Sequence, residues 1–147
     1  MDPGRFVPRA QDDLAPSGAQ ARFRANLAAL RVLRTLQAEE RAATEAERTT
    51  LARWGSWGAS GVAEIFDESR TEYEAERAEL RELLDEAEYA AARRTVINAH
   101  YTDPAIAADV WGALTDLGFQ SGRVLEPGSG AGTFIGLAPE GAQMTGV

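Results

Sequence analysis

A short strand that runs directly into a glycine-rich turn restricts the fold of this chain more than any other feature. Arg123-Val124-Leu125-Glu126 reads as the strand, and it passes at once into Pro127-Gly128-Ser129-Gly130-Ala131-Gly132, with Thr133-Phe134-Ile135-Gly136 following. Glycines let the backbone turn sharply and let a ligand approach it closely. In α/β folds, turns of this kind hold nucleotide-like ligands at the carboxyl end of the strand.

The identity of the ligand follows partly by elimination. The dinucleotide fingerprint needs a third glycine where Thr133 stands, so Gly128 and Gly130 begin that pattern without completing it. A phosphate-cradling loop needs Gly-Lys-Ser/Thr, and the chain has no lysine. What remains is acidic-Pro-Gly-x-Gly-x-Gly, with the carboxylate of Glu126 at the strand end. That suits a cationic ligand without phosphates, and S-adenosylmethionine, with its sulfonium and ammonium groups, is such a ligand. A glycine-rich structural turn with no ligand is the alternative on pattern alone.

Upstream of the turn the pattern is helical. Phe23, Leu27, Leu30, Leu33 and Leu36 recur at three- and four-residue steps and predict an amphipathic helix over Ala21 to Ala42. Thr44-Glu45-Ala46-Glu47 is a capping box opening a second helix through Trp54. Gly55 to Gly61 is a turn-rich break containing Trp57. A Glu/Arg helix is expected over Glu72 to Leu84, and Asp85-Glu86-Ala87-Glu88 opens another, to about Val96. Asn98 to Thr102 is a connector. Asp103-Pro104 is a helix start, with Asp as N-cap and Pro where its missing N–H costs nothing, and Gly118 lies just past the end at Leu117. Strands are expected at 123–126 and from Gln143 to Val147. The fold class expected is α/β: a flexible N-terminus (1–20), a helical lead-in (21–97), and from 98 to 147 the first β-α-β portion of an incomplete Rossmann-like domain.

Composition narrows the chemistry. All 15 basic residues are arginine, the net charge is -8, and there is no cysteine. Disulfides and thiolate metal sites are thereby excluded. With one histidine, His100, no metal site is expected either. The acidic balance gives no clustered cationic footprint for nucleic acid within these residues. No run approaches about 18 consecutive apolar residues, so no membrane span is expected. Met1 to Gln20 lacks the apolar core of a signal peptide, which points to the cytoplasm.

Two stretches carry a family resemblance. Val124-Leu125-Glu126-Pro127-Gly128-Ser129-Gly130-Ala131-Gly132-Thr133-Phe134 resembles motif I of class I S-adenosylmethionine-dependent DNA adenine methyltransferases. Asn98-Ala99-His100-Tyr101-Thr102-Asp103-Pro104 resembles their motif X, which precedes motif I in the matching class. Four further segments are similar, in order, to the start of the large methylase–helicase fusion proteins of phages, plasmids and conjugative elements. They are Asn26-Leu27-Ala28-Ala29-Leu30, Arg41-Ala42-Ala43-Thr44, Leu51-Ala52-Arg53-Trp54-Gly55-Ser56-Trp57-Gly58 and Phe66-Asp67. The resemblance spans about 22–147. The turn departs from it: the family has a Gly-Trp-Gly-Gly-like sequence where this chain has Gly-Ser-Trp-Gly-Ala.

By resemblance, Tyr101, Thr102, Glu126, Pro127, Gly128, Ser129, Gly130, Gly132 and Phe134 are cofactor-binding residues for S-adenosylmethionine. Tyr101-Thr102 and the helix after them would wall the methionine end, and the glycine turn would hold the cofactor backbone. The family's Asn/Asp-Pro-Pro-Tyr/Phe motif, which holds the flipped adenine, does not occur among the 147 residues, so no catalytic residue is assigned. The expected function is that of an N-terminal portion of a DNA adenine methyltransferase. DNA would be the substrate of the intact enzyme, and the remainder of the enzyme a partner in trans. A non-catalytic remnant or interaction module with a vestigial cofactor loop is the alternative, and a methyltransferase acting on a small molecule or protein is a third. Bland roles stand beside the functional ones: Tyr101 as a core aromatic, Asp103 as a helix cap, Phe134 packed under the sheet, Trp54 and Trp57 as hydrophobic anchors, and the Glu/Arg run as a solvated helix face.

Overall fold

The computed structural model describes residues 6–10, 13–59, 61–95 and 102–147. The protein is mixed helix and sheet, mostly helical, with a two-stranded parallel sheet near its carboxyl end. It divides into two compact units, Ala15–His100 on one side and Met1–Leu14 with Tyr101–Val147 on the other.

The first unit is built on α1 (Ala19–Glu39), α2 (Glu45–Ala52), α3 (Glu74–Leu83) and α4 (Glu86–Arg94). Its core gathers Phe23, Leu27 and Leu30 of α1 with Trp57, Val62, Ile65, Phe66, Leu80 and Ala92. Trp57 is the hub of an aromatic chain. Its ring lies 5.1 Å from Trp54 and 5.7 Å from Phe66, both edge to face, and Phe66 in turn meets Tyr89 at 5.5 Å. These are the separations and tilts that the ring quadrupole favours. Trp54 and Trp57 are therefore hydrophobic anchors.

The α1 stripe is buried only in its first half. Leu36 is half-buried and Leu33 exposed, while Arg34 between them reaches the Leu83 carbonyl and Glu88. The helix also stops earlier than its pattern predicts. Glu40 takes a left-handed conformation at φ 49° and its N–H donates to the Leu36 carbonyl, which closes the last turn.

Two polar side chains organise the interior. Asn26 is wholly buried; its Oδ1 accepts the Gly55 N–H at 2.7 Å, and its Nδ2 donates to the Ser56 carbonyl at 3.0 Å. One side chain thus satisfies both faces of the turn after α2. Arg77 on α3 is buried too, and its guanidinium donates to the carbonyls of Ile65, Asp67 and Arg70. It ties the 3-10 helix Val62–Phe66 to the turn that follows it, where the Asp67 and Arg70 carbonyls also accept the N–H groups of Arg70 and Tyr73. That stretch, with a second 3-10 helix at Thr71–Tyr73, delays the charged helix to Glu74.

Both capping boxes are present. The Thr44 hydroxyl accepts the Glu47 N–H while the Glu47 carboxylate accepts the Thr44 N–H, and Asp85 and Glu88 do the same for α4. Glu47 is also gripped by the Arg41 guanidinium, at 2.7 and 2.6 Å. The Arg41 hydrogen bonds, then those from Thr44, lower the Glu47 pKa to about 2. A depressed carboxylate contributes stability above its unfolded pKa of about 4.3. That contribution is lost as pH falls through the folded value. Glu47→Gln should therefore be less stable than wild type at pH 7, with the gap closing between about pH 4.5 and pH 2. Chemical denaturation across that range measures it, and a gap independent of pH would sink the assignment.

The second unit contains α5 (Pro104–Asp116), β1 (Gly122–Glu126), α6 (Thr133–Leu137) and β2 (Ala142–Gly146). β1 and β2 pair in parallel, from Gly122 opposite Ala142 to Glu126 opposite Gly146. Parallel strands need a crossover, and residues 127–141 with α6 supply it. The Asp103 carboxylate accepts the Ala105 N–H at 2.8 Å and Pro104 follows in the first turn, so α5 begins where its sequence predicts. Of the N-terminal residues assigned to a flexible lead-in, Pro8 and Leu14 are buried.

Candidate cofactor site

The site is the turn between β1 and α6, and its shape is set by backbone hydrogen bonds. Gly130 and Gly132 sit at φ 49° and φ 80°, in the left-handed region that only glycine enters without strain. The Gly132 N–H folds back to the Ser129 carbonyl at 2.6 Å, and the Gly136 N–H to Gly132 at 2.7 Å, which starts α6. A side chain added at Gly132 would meet nothing within 4 Å. At Gly128 it would meet only the Glu126 carboxylate, at 3.7 Å. The loop is therefore open along the glycine side, and its backbone is accessible there.

Glu126 is half-buried at the carboxyl end of β1. One of its carboxylate oxygens accepts the Gly128 N–H at 3.1 Å, so the side chain curls over the start of the turn. Around it the charge is one-sided: between residues 102 and 147 stand Asp103, Asp109, Asp116, Glu126 and Glu140 against Arg123 alone.

The turn is also tied to its surroundings. The Ser129 hydroxyl donates to the Val147 backbone oxygen at 3.0 Å, the Ser129 N–H donates to the same oxygen at 3.3 Å, and the Val147 N–H donates to the Glu126 carbonyl at 3.0 Å. On the other side, the indole N–H of the buried Trp111 donates to the Phe134 carbonyl at 2.9 Å, hooking α5 onto α6. Phe134 itself is half-buried.

Of the residues expected to bind cofactor, Glu126, Pro127, Gly128, Ser129, Gly130 and Gly132 share this one turn, with Phe134 in the helix it opens. Thr102 is half-buried just ahead of the α5 cap. Tyr101, and with it His100 and the connector from Asn98, lies outside the described residues. Sequence reasoning missed Trp111 as a site-shaping residue. Trp111 is buried as well, so its apolar ring gave no sign of the bond its indole N–H makes.

Among the described residues no group of His, Cys, Asp or Glu could hold a metal ion, and no helix is long and apolar enough to cross a membrane. No family model matches the chain, and neither curated proteins nor solved structures give a match.

Proposed function

We propose that the chain is the N-terminal portion of an S-adenosylmethionine-dependent DNA adenine methyltransferase of the methylase–helicase kind, with β1, α6 and β2 opening its Rossmann-like domain. The observation that carries this reading is the acidic glycine turn at the carboxyl end of β1 in a parallel β-α-β unit, where nucleotide-like ligands bind in α/β folds. The open space at Gly128 and Gly132 and the carboxylate of Glu126 fit the cofactor. S-adenosylmethionine, when bound, supplies an electrophilic methyl group on its sulfonium. In this chain Glu126 would counter the cofactor's positive charge, and the backbone of Gly128 to Gly132 would line its adenosyl portion. The role is binding and orientation, which contribute to rate by holding the reacting atoms in line.

The sheet supports a larger domain around this unit. Parallel sheets are normally covered on both faces, yet Leu125 is 63% exposed on one face of β1, and Ile106, Val110 and Leu114 of α5, with Leu117 at its C-cap, are exposed apolar residues. A helix apolar on more than one side is normally buried. Strands and helices of the same enzyme, in cis or in trans, would cover these surfaces, and DNA would be handled by those parts.

Calorimetric titration of the protein with S-adenosylmethionine tests the reading. Binding in the low micromolar range is expected, and its absence would favour a vestigial loop and overturn the proposal. Incubation with labelled cofactor and DNA should give no methyl transfer, since these 147 residues contain no Asn/Asp-Pro-Pro-Tyr/Phe motif to hold the flipped adenine. Methylated DNA from this protein alone would refute that expectation.

A further inference from the structure

We propose that the segment Phe6–Pro8 is a strap seated on α6 at Gly136, and that its docking is coupled to cofactor binding through the glycine turn from which α6 starts. The proposal rests on the cofactor reading above and assigns a positioning role to residues far from that turn in sequence. The segment and α6 belong to the same compact unit. A Cβ at Gly136 would lie 2.7 Å from the Phe6 carbonyl oxygen and 2.9 Å from Cδ of Pro8. Gly136 is not in the left-handed region, so the space around it, and not its backbone conformation, calls for glycine. A main-chain carbonyl and a proline ring cannot swing aside as a long side chain would. Pro8 is buried and Phe6 half-buried. The chain just beyond is held in a turn: the Asp13 carboxylate accepts the N–H groups of Arg9 at 2.8 Å and Ala10 at 3.3 Å, and the Asp13 N–H donates to the Ala10 carbonyl at 3.1 Å.

The length of α6 points the same way. It has five residues, against the about 12–15 that a helix needs to persist by itself in water. Its order therefore comes from packing. Trp111 supports it through the Phe134 carbonyl, and the Phe6–Pro8 segment supports it at Gly136. Gly136 joins the strap to the site directly. Its N–H donates to the Gly132 carbonyl at 2.7 Å, within the glycine turn, while its α-carbon abuts the segment. Displacing the strap should therefore loosen the bond that closes the turn onto α6.

The chain has no cysteine, so Val7→Cys, at a position 50% exposed, carries a single spin label in the whole protein. A restricted label is expected in this background. Gly136→Ala should free the label and weaken S-adenosylmethionine about ten-fold. Alanine is the better helix former, so helix propensity alone would leave the affinity intact or improve it. Pro8→Ala leaves α6 unaltered and should move both readouts the same way by less; it carries the test if Gly136→Ala fails to fold. Coupling is reciprocal, so saturating cofactor should return the label in both variants toward its restricted spectrum. A freed label with wild-type affinity would overturn the coupling and leave the cofactor reading standing. Weakened binding with a label that ignores the cofactor would also overturn it, since the strap would then be structural support only. A label already mobile without either substitution would refute the seat. A labelled protein that does not bind S-adenosylmethionine, yet whose label is freed by Gly136→Ala, would overturn the cofactor reading and the coupling while the seat stands.

Discussion

Asn26→Ala is expected to lower the stability of the helical unit by about 2–4 kcal/mol and its unfolding midpoint by roughly 10–20 °C. The side chain is wholly buried and serves two backbone groups of one turn, the Gly55 N–H and the Ser56 carbonyl. Alanine leaves both without a partner, and the Gly55 N–H is buried, so it regains no water. An orphaned buried donor costs more than the bond it made was worth on balance. The turn also carries Trp57, whose ring joins Phe23, Trp54 and Phe66. Disorder there would loosen the aromatic core as well. Thermal unfolding followed by far-UV circular dichroism measures the effect, with Leu33→Ala on the exposed end of α1 as the control expected within about 0.5 kcal/mol of wild type. An Asn26→Ala protein that melts with the control would refute this account of the turn.

Trp111→Ala should destabilise the second unit by about 3–5 kcal/mol, the usual cost of emptying a buried indole site. Trp111→Phe separates the contributions. It keeps most of the apolar volume beside Phe119, whose ring lies 6.1 Å away, and removes only the donor to Phe134. Its expected cost is about 1–3 kcal/mol, because a carbonyl within a five-residue helix loses its partner. Since α6 begins at the glycine turn, both variants should also weaken S-adenosylmethionine binding, alanine more than phenylalanine. Equal melting of Trp111→Phe and wild type would show that the indole N–H bond contributes nothing.

How much was legible in the sequence varied with the range of the interaction. The starts of α2, α4 and α5 were readable because a cap is satisfied within three residues of its own helix: Thr44 with Glu47, Asp85 with Glu88, and Asp103 with the Ala105 N–H. The strand and its glycine turn were readable for the same reason, since left-handed φ values at Gly130 and Gly132 are a local demand. The 3-10 helices at 62–66 and 71–73 were not. Arg77 ties this stretch together through the carbonyls of Ile65, Asp67 and Arg70, yet it reads as one more charge in a Glu/Arg helix. Within the candidate site, the turn residues were named from sequence, whereas the Ser129–Val147 hydrogen bond spans 18 positions and has no short-range signature.

The sequence by itself determined the local grammar: which segments are helical, where three of them begin, and that a strand ends in a glycine-rich turn that lacks the lysine of a phosphate-cradling loop. Those features depend on residues a few positions apart and on the absence of lysine. Only the tertiary structure decided which polar groups are buried and paired, and that Asn26 and Arg77 organise the helical unit. Such choices are made by close packing between segments distant in sequence. There, a single donor on Trp111 ties one helix to another, and periodicity along the chain carries no trace of it.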